Sequence, residues 1–147
     1  MPLPIVTPAA KTSSPFTSFR PDHVGIRVDD IDAAIAWYTN TLDFRVMHSM
    51  TLGERRFVYM APPVHDDFWI ELCGGEESLP RPSKGEIRVA GWDHLCLRVD
   101  NADDAVEELR RRGVTIVRPP FDVPPLSHRI AFFADPWGNL FELFQHI

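Results

Sequence analysis

Two histidines and two glutamates fall at one repeated spacing in this chain. His23 and Glu71 lie in the first half, His94 and Glu142 in the second, and each second-half residue follows its counterpart by 71 positions. The surrounding text repeats in the same register. Residues 26–35 read IRVDDIDAAI and residues 97–106 read LRVDNADDAV, identical at five of ten positions. Two imidazoles and two carboxylates form a chemically sensible shell for one divalent cation. Chance readily supplies one such pair. Two pairs in register inside a duplication point to a pseudo-symmetric metal site with His23, Glu71, His94 and Glu142 as ligands. That donor set suits Ni²⁺, Co²⁺, Zn²⁺, Mn²⁺ or Fe²⁺ and does not choose among them.

The ligands need strands to hold them. In HVGIRV, alternation turns Val24, Ile26 and Val28 one way and His23, Gly25 and Arg27 the other. HLCLRV repeats this, with His94, Cys96 and Arg98 opposite Leu95, Leu97 and Val99. In WIELC, Glu71 shares a face with Trp69 and Cys73. Glu142 likewise sits with Leu140 and Phe144, while Phe141 and Leu143 face the other way. A carboxylate among apolar strand neighbours is costly to bury unless paired, protonated or metal-bound. Asp29-Asp30 and Asp100-Asn101 are N-cap types. They open two helices whose apolar faces carry Ile31, Ala34, Ile35, Tyr38 and Leu42, then Ala102, Ala105, Val106 and Leu109, with Gly113 ending the second. Strand-like runs follow at about 44–50, 55–60 and 68–73, and again at about 114–118, 129–134 and 140–145. DPWGN at 135–139 is a turn. Each unit therefore reads β-α-β-β-β. The fold class expected is α+β: two tandem βαβββ modules forming a cupped eight-stranded mixed sheet with helices outside.

The 147 residues suit a single domain, 21–147, built of module one (21–75), a Gly-, Pro- and Ser-rich linker (76–90) and module two (91–147). Residues 1–20 read as a flexible tail, with an organelle transit peptide as the alternative. Apolar content of 44% and charged content of 24% are ordinary for a globular protein. A net charge of −6 with scattered Lys and Arg argues against a nucleic-acid surface. No apolar run is long enough to cross a bilayer. Two cysteines form no disulfide framework, so a cytoplasmic setting is expected.

Other polar and aromatic residues carry weaker signals. His48, His65, His128 and His146 lack repeat partners and read as surface or substrate-facing; His128 is the one placed to line a cavity. Cys73 and Cys96 each lie two residues from a ligand, on its face; small buried hydrophobes or thiolate ligands both fit. Arg27 and Arg98 share the ligand face in both copies, as anion binders or as rim salt bridges. Trp37, Trp69, Trp92 and Trp137 line an aromatic groove or fill cores.

These motifs resemble the vicinal oxygen chelate superfamily, also called the glyoxalase, bleomycin-resistance and extradiol-dioxygenase superfamily. The resemblance spans residues 22–147 and rests on DHVGIRVDDIDAAIAWYTNTLDF, FWIEL, WDHLCLRVDN and FFADPWGNLFEL. It implies paired modules around one divalent metal, with His23, Glu71, His94 and Glu142 at the four ligand positions, and a homodimer. Among its members the full four-ligand set is similar to that of glyoxalase I. Arg27 matches an arginine that helps hold glutathione there, whereas Gly75 stands where that enzyme has an asparagine. The resemblance thus implies a metal-dependent lyase or isomerase that chelates vicinal oxygens of a small substrate. Glu142 would be its base, and Glu71 would serve the opposite face or stay a ligand. Arg27, Arg98, Trp69 and His128 are the substrate-binding candidates. An Fe²⁺ or Mn²⁺ dioxygenase using His23, His94 and Glu142 is the alternative, and a drug- or metabolite-binding protein without turnover is the third reading. Substrate walls are expected in the Pro-rich loops at 61–67 and 119–126.

Overall fold

The computed structural model describes residues 8–15, 17–18, 21–75 and 94–147. The linker assigned to 76–90, together with Trp92, lies outside the described residues, as does part of the tail. The chain divides into two compact units, the first ending at Gly75.

The first unit runs β1 (His23–Arg27), α1 (Ile31–Leu42), β2 (Arg45–Leu52), β3 (Arg55–Ala61) and β4 (Trp69–Gly74). The second runs β5 (Leu95–Arg98), α2 (Ala102–Arg111), β6 (Thr115–Val123), β7 (His128–Ala134) and β8 (Leu140–His146). Each unit is thus βαβββ, and the fold is α+β as the sequence predicts. The eight strands form two four-stranded mixed sheets, ordered β1-β4-β3-β2 and β5-β8-β7-β6. β1 and β5 run parallel to β4 and β8, and the remaining pairs are antiparallel. A parallel neighbour requires a crossover, and the helix supplies it in each unit.

Caps and apolar stripes explain the helices. The Asp30 carboxylate accepts from the Ala33 N–H, and Asn101 accepts from Asp104 N–H. Ile31, Ala34 and Tyr38 are buried on α1, and Ala102, Val106 and Leu109 on α2. The sheet face below α1 carries Ile26, Val58, Met60, Ile70 and Leu72, all buried. In the second unit Ala131, Phe133, Phe141 and Leu143 do the same, with the Phe133 and Phe141 rings stacked at 4.9 Å. Each sheet therefore has one face against its helix and one left for the ligand candidates. No helix among the described residues is long and apolar enough to cross a membrane.

One boundary differs from expectation. β6 was expected to stop near 118 and give way to a Pro-rich loop, yet it continues to Val123. Its pairing with β7 skips from Arg118↔Phe132 to Phe121↔Ile130, so Pro119 and Pro120 sit in an irregularity of an edge strand. There the missing proline N–H costs no ladder hydrogen bond. A short 3₁₀ turn, Pro124–Leu126, then leads into β7.

The DPWGN turn is held by a buried carboxylate. Asp135, 5% exposed, accepts from the Trp137 and Asn139 backbone N–H groups at 3.0 and 2.7 Å and from Asn139 Nδ2 at 2.7 Å. Removing it orphans buried donors. Asp135→Ala is expected to lower unfolding free energy by about 2 kcal/mol in urea titration.

Candidate metal centre

Each unit brings its own His–Glu pair together on the sheet face away from the helix. In the first, the parallel register sets His23 beside Trp69 and Gly25 beside Glu71. His23 Nε2 then lies 3.5 Å from Glu71 Oε2. In the second, His94 immediately precedes β5, and Glu142 lies across from Cys96 in β8. His94 Nε2 is 2.8 Å from Glu142 Oε2. The glutamate side chains are only 14% and 16% exposed, against 34% and 32% for the histidines. The carboxylates sit at the floor of each half-site and the imidazoles at its open side.

Donor chemistry fits a divalent cation. The other ring nitrogen of His23, Nδ1, is 2.6 Å from Asp22 Oδ2. A carboxylate on one imidazole nitrogen fixes the tautomer and leaves the second nitrogen as a lone-pair donor, a common arrangement behind metal-ligating histidines. No group of three or more potential metal-binding side chains occurs among the described residues; each half-site is a pair.

The rest of the ligand face differs between the units. Tyr59 stands across from Glu71 in the β3–β4 register, where Phe132 stands across from Glu142. The Glu71 carboxylate, as hydrogen-bond acceptor and as charge, together with burial, pushes the Tyr59 phenol up to about 12. Cys73 Sγ lies 3.7 Å from Glu71 Oε2. Burial, then the Glu71 charge, raises its thiol. Desolvation and the Glu142 charge push the Cys96 thiol up to about 11. Cys73 is half-buried and Cys96 is exposed, so the expectation of small buried hydrophobes fails for Cys96.

The substrate-binding candidates are more dispersed. Trp69 lies on the ligand face beside His23, 5.6 Å from the Tyr59 ring, and its indole N–H is buried without a hydrogen-bond partner. Arg27 ends β1, two residues beyond the Gly25–Glu71 pair. Arg98 is exposed with its guanidinium 5.8 Å from the Phe144 ring. His128 pairs with His146, and its ring packs 4.0 Å from Phe144. It shares the Glu142 face but lies four residues from Phe132 along β7, about 13 Å at the usual strand rise. Trp37 belongs to α1, on the helix side of its sheet, and Trp137 to the 135–139 turn.

Tyr59 and Asp22 are the site residues that sequence reasoning passed over. Asp22 had a signal: the dipeptide Asp-His occurs at 22–23 and again at 93–94, with the same 71-residue offset. Tyr59 had only strand alternation, since the duplication replaces it by phenylalanine.

The model of the Glyoxalase/Bleomycin resistance protein/Dioxygenase superfamily matches residues 20–143, and the chain belongs to that family. A lactoylglutathione lyase from Salmonella typhimurium is 32% identical over 129 residues, spanning 84% of this chain and 90% of that one. The crystal structure of UcmS2 superposes with a TM-score of 0.69 at 32% identity, covering 86% of this chain and 97% of that one. A superfamily member from Sphaerobacter thermophilus gives 0.66 at 29% identity, covering 87% and 98%.

Proposed function

We propose that this protein is a metal-dependent lyase or isomerase of the glyoxalase type. It acts on a small molecule that presents two vicinal oxygens. His23, Glu71, His94 and Glu142 hold one divalent cation, a His–Glu pair coming from each unit. The observation that carries this reading is the duplicated pair itself: an imidazole Nε2 facing a largely buried carboxylate at equivalent strand positions. A cation held by these residues would supply Lewis-acid polarisation of a substrate carbonyl. Glu142 takes the proton from the carbon beside that carbonyl and returns it to the former carbonyl carbon, while the hydroxyl proton passes to the other vicinal oxygen; Glu71 stays a ligand or serves the opposite face. Trp69 and Tyr59 wall the first half-site against water, and Arg27 is the candidate group for an anionic end of the substrate. The protein works as a homodimer in the cytoplasm, with neither nucleic acid nor membrane as partner.

Position 75 bears on the substrate. A Cβ there would run into the Glu54 carbonyl oxygen, so no side chain fits without backbone movement. The asparagine that would help hold glutathione has no room, which favours a small carbonyl substrate without that thiol.

Metal content of protein purified without chelators, measured by elemental mass spectrometry beside Glu71→Gln, tests the assignment. Near-stoichiometric metal that is lost in Glu71→Gln is the expected result. Stoichiometric iron that survives the change points to the dioxygenase with His23, His94 and Glu142. Protein that takes up no metal on reconstitution is a binding protein.

A further inference from the structure

Two histidines stand side by side at the far end of the second sheet's ligand face. His128 opens β7, His146 closes β8, and the two are directly paired. Just beyond them the Ile147 N–H donates to the Ser127 carbonyl at 2.9 Å. A ladder bond in that place makes His128 and His146 a non-hydrogen-bonded pair, the kind in which facing side chains approach most closely. Their ring centroids are 5.1 Å apart at an interplanar angle of 76°. Phe144 backs both rings, 4.0 Å from His128 and 4.7 Å from His146. The histidines of the half-sites each face a glutamate. Among the described residues no hydrogen bond or ion pair occupies the His128 or His146 ring.

We propose that His128 and His146 form a second cation site, a two-imidazole chelate for Zn²⁺, Ni²⁺ or Cu²⁺. The spacing suits it. A zinc ion about 2.0 Å from an imidazole nitrogen lies about 3.2 Å from the ring centre, so two rings on one tetrahedral ion stand about 5 Å apart. The strand pairing holds that separation, and the Phe144 ring limits how far the imidazoles can swing. Donor type selects the cation. Imidazole nitrogen suits Zn²⁺, Ni²⁺ and Cu²⁺, whereas Mg²⁺ and Ca²⁺ need oxygen. The Arg98 guanidinium, 5.8 Å from the Phe144 ring, works against any cation held by charge alone. The site shares no ligand with the His94–Glu142 pair. His146 lies four residues beyond Glu142 in β8, about 13 Å at the usual strand rise. It forms within one unit and does not depend on the four-ligand reading. Two protein ligands leave the other positions to water or to a small donor molecule.

The test uses the full chain with Zn²⁺ alone as the probe, counted by elemental mass spectrometry after equilibrium dialysis. His128→Phe and His146→Phe keep a ring against Phe144 and remove the nitrogens. Each is expected to lower bound Zn²⁺ by one equivalent per chain relative to wild type. A second measurement needs no variant: NMR of the histidine rings during a Zn²⁺ titration. The His128 and His146 resonances are expected to shift together, and Mg²⁺ is expected to shift neither. Zinc content unchanged in both variants, or rings that respond to Zn²⁺ separately, overturns the inference. Glu71→Gln, dialysed in parallel, keeps the two metal readings apart. Loss of one equivalent in the histidine variants with none in Glu71→Gln supports this site and overturns the four-ligand reading. The reverse pattern overturns this site alone. Wild-type protein that binds no Zn²⁺ overturns both.

Discussion

A Glu142→Gln variant is expected to fold, keep its cation and lose turnover by about 10³-fold, equivalent to about 4 kcal/mol of barrier. The change is nearly isosteric. The amide oxygen still faces His94 Nε2, which lies 2.8 Å from Oε2 in the parent. What it loses is the capacity to accept a proton at neutral pH. The side chain is only 16% exposed, so removing its charge removes a desolvation cost and adds none, and Leu140, Phe141 and Leu143 beside it in β8 are all buried. Reading kcat per bound metal separates the roles: a base loses rate beyond any loss of metal, whereas a ligand loses rate only in step with its metal. Full turnover in Glu142→Gln would remove it as the base.

The duplication exposes what the halves share and hides what they do not. His23, Glu71, His94 and Glu142 were legible because a 71-residue offset and strand alternation both placed them on one face of their strands, opposite Ile26, Ile70, Leu97 and Leu143. The helices were legible for local reasons: Asp30 and Asn101 cap them, and a 3.6-residue stripe buries one side. Tyr59 was not, because the second unit has Phe132 across from Glu142 and so the repeat gives no sign of it. Pairing across β3 and β4, not spacing along the chain, sets it opposite Glu71. Pro119 and Pro120 misled in another way. Proline speaks against a paired strand, but an edge position with a register shift asks for no N–H from it. His128 shares the Glu142 face of the second sheet, near its far end. Alternation gives the face, while the distance to Glu142 depends on the register of β7 against β8.

Gly75→Asn is expected to be among the most destabilising single changes in the first unit, by about 4 kcal/mol. Two costs add. Gly75 has φ +87, a region L-residues rarely adopt, although asparagine tolerates it better than most. The larger cost is steric. A Cβ at this position collides with the carbonyl oxygen of Glu54, a backbone atom in the β2–β3 turn that no rotamer change can move aside, and it also sits 3.3 Å from the Arg56 backbone nitrogen. Relief requires the end of β4 to part from that turn, which breaks the Arg56↔Gly74 pairing. Urea unfolding of Gly75→Asn and Gly75→Ala checks both costs. Comparable losses in the two variants identify the Cβ, and not the amide, as the cause. A stable Gly75→Asn protein would show that the turn yields easily, and it would reopen room for a glutathione-binding asparagine at this corner. If the collision holds, the corner stays closed to side chains.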